Sequence, residues 1–151
     1  MKILMVCLGN ICRSPLAHGI MQTLISNEGL DWQVDSAGTG DWHVGQAPHH
    51  RSIATAKKHG IDISTQQAQW FEPSMFDRFD KILVMDKQNY KDVIRQAESE
   101  EQKAKVALLL PEGEVPDPYF DDTLFDPVYE MIDRRARTLV EAWKAELKTA
   151  K

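Results

Sequence analysis

Apolar residues follow two rhythms along this chain. Unbroken apolar runs occupy residues 3–6, 82–85 and 106–110, and elsewhere apolar positions recur every three or four residues. Short continuous runs fit strands covered on both faces, and the longer period fits helices. The pattern predicts strands at residues 2–6, 32–37, 81–85 and 106–110. Leu16, Ile20 and Leu24 share one helical face, which predicts a helix over 15–27 with Ser14 as N-cap and Pro15 as first helical residue. A second helix opens at Pro48 and runs to Lys58 or His59, with Gly60 as its stop. Asp86 is suited to cap a third, with Tyr90, Val93, Ile94 and Ala97 turned inward. Residues 98–103 read as a solvated charged link. Asp126 and Pro127 start a final helix whose apolar stripe is Val128, Met131, Ile132, Leu139, Val140, Trp143 and Leu147.

Strands alternating with helices imply an α/β fold, a parallel sheet with helices on both faces. Ligands in such folds sit outside the carboxyl ends of the strands. Cys7 lies at the end of the first strand and Ser36 at the end of the second. Asp117 lies in a long acidic loop, 111–125, that leaves the fourth. All three therefore belong to one sheet edge.

Composition narrows the classes. At 151 residues the chain is long enough for one domain with its own core, spanning 1–151. A formal net charge of −5 speaks against a general nucleic-acid binder. No apolar run reaches membrane length, and the first residues lack the pattern of a secretory signal. The expected location is cytoplasmic. The two cysteines, Cys7 and Cys12, are too few for a disulfide framework or a four-ligand zinc site.

The candidate chemistry lies in V-C-L-G-N-I-C-R-S-P, residues 6–15. A strand, a small polar loop and a helix start make an anion-binding arrangement. Gly9 lets the backbone approach closely, and Asn10 tolerates a left-handed conformation. The loop Leu8, Gly9, Asn10, Ile11, Cys12 is suited to wrap a tetrahedral oxyanion, such as inorganic phosphate, with its amides. Arg13 adds a bidentate grip. This is not the nucleotide P-loop, because the side chain facing the anion is a thiol. Amides, helix terminus and Arg13 favour Cys7 as thiolate, placed for in-line attack on phosphorus. The Ser14 hydroxyl can donate to it. Departure of an alcohol also needs a proton donor. Asp117, stiffened between Pro116 and Pro118, is the leading carboxyl on physical grounds, with Asp121 and Asp122 as rivals.

The ten-residue loop closely resembles the active-site loop of the low-molecular-weight protein tyrosine phosphatases. D-S-A-G-T at 35–39, D-W-H-V-G at 41–45 and P-D-P-Y-F at 116–120 resemble that family in the same order. The resemblance implies a flavodoxin-like three-layer sandwich with a four-stranded parallel sheet of order 2-1-3-4. It implies metal-independent hydrolysis of phosphotyrosine through a cysteinyl-phosphate, with no cofactor. Cys7 matches the nucleophile, Arg13 the phosphate-binding arginine and Asp117 the general acid. Asn10, Ser14 and Ser36 match a supporting hydrogen-bond network. Leu8, Trp42 and Tyr119 match the pocket walls, and Tyr119 is itself phosphorylated in some relatives. Cys12 matches a cysteine that forms a reversible disulfide with the nucleophile. The implied partners are tyrosine-phosphorylated proteins, with a cognate tyrosine kinase among the candidates.

One departure stands out. Many relatives carry a histidine beside the position of Ser64 that helps the network, and here the stretch is S-T-Q-Q-A-Q. His43, His49 and His50 read as a polar loop rather than a metal site. An arsenate reductase of this fold would need two more redox cysteines, and a phosphoarginine phosphatase usually has threonine where Ile11 stands. A non-catalytic phosphate binder or a thiol switch would not need the nucleophile, arginine and acid together.

Overall fold

The computed structural model describes residues 1–149, so the last two positions of the expected 1–151 span lie outside it. Four strands, β1 (Lys2–Cys7), β2 (Gln33–Gly38), β3 (Lys81–Val84) and β4 (Val106–Leu108), form one sheet in the order β2-β1-β3-β4. Every pairing is parallel, with Met5 opposite both Ser36 and Leu83. The helices are α1 (Arg13–Asn27), α2 (His50–Lys58), α3 (Met75–Arg78), α4 (Lys87–Ile94), α5 (Glu100–Ala104) and α6 (Phe125–Thr149).

The unbroken apolar run of β1 is explained by its two covered faces. Ile3, Met5 and Cys7 pack with Leu16, Ile20, Val128 and Ile132 of the α1 and α6 layer. Leu4 and Val6 pack with Phe71, Phe76, Phe79 and Val93 on the other side. The sheet is therefore the middle of three layers, as expected. Among the described residues no helix is long and apolar enough to cross a membrane.

Several boundaries differ from expectation, each for a local reason. Ser14 is not the N-cap of α1. Cys12 holds that place without a side-chain bond, and Ser14 lies inside the helix with its hydroxyl engaged elsewhere. The second helix begins at His50, because the His49 ring accepts the Arg51 N–H as an N-cap. Residues 98–103 are not a plain link, since Ser99 accepts the Gln102 N–H and starts α5. Tyr90, Met131 and Leu147 were expected inward but are 37%, 37% and 43% exposed. They stand on the flanks or beyond the end of the buried stripes. Residues 71–79, unassigned in the sequence, supply the aromatic half of the second core; α3 has only four residues, too few to show a period.

Candidate active site

The loop between β1 and α1 is folded back on itself by its neighbours. Thr39 N–H donates to Cys7 O at 2.9 Å, Gly40 N–H to Leu8 O at 2.8 Å and His49 N–H to Ile11 O at 2.8 Å. In a trans peptide the carbonyl and the following N–H point opposite ways. With these carbonyls drawn outward, the amides of Leu8, Gly9 and Cys12 face the hollow of the loop. Asn10 takes the left-handed backbone, with φ of 56°. Gly38 is required where β2 meets the loop, because a Cβ there would stand 2.8 Å from Leu8 O.

Cys7 is 3% exposed, its Sγ 3.0 Å from Ser14 Oγ. Asn10 Nδ2 donates to the same Ser14 oxygen at 2.7 Å, and the Ser14 N–H also approaches Sγ at 3.5 Å. With its oxygen accepting from Asn10, the Ser14 hydroxyl is free to turn its single proton toward the sulfur. That arrangement sets a hydrogen-bond donor against the sulfur. The Asn10 carbonyl is held in turn by Gln69 N–H at 3.0 Å. Gln69 also donates its side-chain amide to Ser36 O at 2.8 Å, so the lattice closes without the histidine that many relatives carry. Ser36 thus joins the loop network through its carbonyl, and its hydroxyl pairs with His18 Nδ1 at 3.1 Å.

Arg13 is 2% exposed. Its Nη1 donates to Asp86 Oδ2 at 2.7 Å and to Val115 O at 2.9 Å, and its Nη2 lies 3.7 Å from Asp117 Oδ2. Burial works against its charge, but Cys7, Asp86 and Asp117 outweigh it and hold the guanidinium pKa above its usual value. Asp86 has a second duty, since its Oδ1 accepts the Asn89 N–H at 2.7 Å and caps α4. The sequence marked the cap and missed the clamp. The available signal was its place at the end of β3, on the same sheet edge as Cys7.

The three candidate carboxyls separate cleanly. Asp122 pairs with Arg51 at 3.0 Å. Asp121 accepts from both the hydroxyl and the N–H of Thr123, which lowers its pKa and fixes it as a carboxylate. Asp117 alone lines the cleft, its Oδ1 accepting the Tyr119 N–H at 3.0 Å.

That cleft encloses about 210 Å³. Cys7, Cys12 and Arg13 form its floor, and Leu8, Trp42, Tyr119 and Phe120 its apolar walls. His43 also lines it and was not anticipated. Trp42, 66% exposed, lies across Gly40, where a Cβ would collide with the indole. Burial, then the charges of Cys7 and Asp117, push the Cys12 thiol up to about 12. Cys12 therefore stays protonated while its neighbour reacts. Among the described residues no three His, Cys, Asp or Glu side chains gather as a metal-ligating group.

His18 gives a test of this support. Burial lowers its pKa from 6.5 in spite of Asp35. The unfolded chain thus binds a proton there before the folded one does, and stability falls as pH drops below about 6.5. Urea unfolding at neutral and mildly acidic pH is expected to show a smaller acid loss in His18→Gln than in the parent. An equal loss in both would mean that the ring does not titrate this way.

The sequence model of the family described as "Low molecular weight phosphotyrosine protein phosphatase" matches residues 2–149. The human low molecular weight phosphotyrosine protein phosphatase is 36% identical over 149 residues, covering 93% of this chain and 94% of that protein. A crystal structure of a protein tyrosine phosphatase from Entamoeba histolytica, with Hepes in its active site, superposes with a TM-score of 0.92 at 32% identity, covering 97% of this chain and 98% of that one. Vibrio vulnificus Wzb in complex with benzylphosphonate superposes with a TM-score of 0.84 at 30% identity, covering 93% and 97%. Matched over nearly its whole length in sequence and in fold, the chain belongs to the low-molecular-weight phosphotyrosine protein phosphatase family.

Proposed function

We propose that this protein hydrolyses phosphotyrosine in proteins, through a cysteinyl-phosphate on Cys7 and without a metal. The observation that carries the reading is the convergence of Cys7, Arg13 and Asp117 on one cleft with aromatic walls. The phosphate sits in the loop, its oxygens on the inward amides and the Arg13 guanidinium. The Cys7 thiolate attacks phosphorus in line, and charge on the equatorial oxygens is matched by groups already in place. Asp117 gives its proton to the leaving phenolate and later takes one from the water that cleaves the S–P bond. Ser14 stabilises the sulfur both before attack and as it leaves.

Leu8, Trp42 and Tyr119 receive the phenyl ring. The benzylphosphonate held by the Vibrio relative, an aryl group one carbon from phosphorus, fits such walls. Phosphoproteins in the cytoplasm, and the tyrosine kinase that makes them, are the expected partners. Under peroxide, Cys7 oxidised to the sulfenic acid condenses with the Cys12 thiol to a disulfide, with loss of water. Thiol then restores the pair.

The test is turnover of p-nitrophenyl phosphate and a phosphotyrosyl peptide in EDTA with reductant. Asp117→Asn is expected to lower kcat/KM on the peptide by roughly 10²–10⁴-fold. It should cost much less on a dinitrophenyl ester, whose phenolate leaves without a proton. No turnover from folded protein, or an equal loss on both esters, would overturn the reading.

A further inference from the structure

His49 lies outside the cleft, yet it touches every part that must keep register. Its N–H donates to Ile11 O in the phosphate loop at 2.8 Å. Its ring stacks on Phe125 at 5.3 Å and meets Tyr119 edge-on at 5.7 Å, on either side of the acidic segment. On its remaining face it stacks with His50 at 4.4 Å. Tyr119 is in turn the residue whose N–H holds Asp117 Oδ1. A path of contacts thus runs from the phosphate loop to the His49 backbone, and from the His49 ring through Tyr119 to the carboxyl group.

We propose that His49 is a positioning residue, whose ring seats the loop carrying Asp117 at the height required for proton transfer. The inference rests on the Asp117 role proposed above. The ring works uncharged, since Nδ1 accepts the Arg51 N–H at 3.1 Å and cannot do so when protonated. The groups that face it are His50 and Arg51 from α2, Tyr119, and Asp122 from the 3-10 turn Asp122–Leu124. Burial, followed by His50, disfavours the cation and outweighs the attraction of Asp122. An acid loop held on one side by Pro116 and Pro118 and on the other by an aromatic stack has little room to swing. Proton transfer is sensitive to that, because a displacement of about 1 Å costs on the order of 10²-fold in rate.

Two substitutions separate the ring from the cap. His49→Ser keeps an N-cap acceptor and removes the ring. His49→Phe keeps an aromatic stack and removes the acceptor. kcat/KM is measured on phenyl phosphate and on dinitrophenyl phosphate, in the parent and in Asp117→Asn. His49→Ser is expected to slow phenyl phosphate roughly tenfold. It should leave dinitrophenyl phosphate nearly unchanged and have no further effect once Asp117 is gone. His49→Phe should stay within about threefold of the parent on both. An equal loss on the two esters, a persisting loss in the Asp117→Asn background, or a His49→Phe variant as slow as His49→Ser would overturn the proposal. Failure of the Asp117 reading itself would show separately, as an Asp117→Asn variant that does not distinguish the esters.

Discussion

Cys7→Ser leaves a folded protein that binds inorganic phosphate and does not turn over. The new oxygen would stay within hydrogen-bonding reach of Ser14, because the sulfur it replaces is already 3.0 Å from that hydroxyl. The amides of Leu8, Gly9 and Cys12 keep their direction, since Thr39, Gly40 and His49 still hold the carbonyls that set it. What changes is the nucleophile. A serine hydroxyl ionises far above neutral pH, and no base stands beside it to take the proton. Ser14 donates toward the position, and Arg13 can only donate. The expected loss in kcat is at least about 10⁴-fold, on the scale seen when a covalent nucleophile is removed. Phosphate titration followed by calorimetry should give an affinity within about tenfold of the parent, a difference of roughly 1.4 kcal/mol. A variant that loses both turnover and phosphate binding would mean that the thiolate helps to shape the loop.

Arg13→Lys is expected to act on activity and stability together and reaches further into the structure. The guanidinium fills three requirements in one plane, at Asp86, at Val115 O and beside Asp117. An ammonium is a point charge on a flexible stem and cannot meet them together with a phosphate. A fall in kcat/KM of about 10²–10³-fold is expected, matching the loss of one preorganised donor to the transition state. The stability cost should be on the order of 1–3 kcal/mol, because Asp86 and the Val115 carbonyl lose a charged donor in a site closed to water. Urea midpoints measure the second effect independently of the first. Unchanged stability with lost activity would show that the clamp on Asp86 is dispensable and that only the phosphate needs Arg13.

How much of this could be read beforehand depended on how local each interaction is. Cys7, Asn10, Arg13 and Ser14 sit within eight residues, and their chemistry follows from a strand, a loop and a helix start. The sheet order came from the resemblance, and β1 between β2 and β3 bears it out. Asp86 and Gln69 escaped notice as site residues because each meets its partner only through tertiary contact, across 73 and 59 positions. Both had satisfactory local explanations: Asp86 caps a helix, and Gln69 lies in a polar stretch. Ser36 was placed at the right sheet edge; its carbonyl meets the loop network through Gln69, while its hydroxyl bonds His18, which gave no sign of pointing inward from α1. Phe71, Phe76 and Phe79 were missed for a different reason. They fill the second core from residues 71–79, where the only helix, α3, is four residues long and neither period can show.

The reach of Arg13 also bears on how the protein assembles. Its bond to Val115 spans 102 positions, so the phosphate clamp closes only after β3 and β4 have joined the sheet. The loop that names the family is encoded in the first tenth of the chain, but its arginine is held by groups 73 and 102 positions further on. Parallel pairing over such separations is slow to nucleate, because loop closure must precede any gain from contact. An unfinished chain has the residues of the loop but lacks the carboxylate and the carbonyl that hold its arginine.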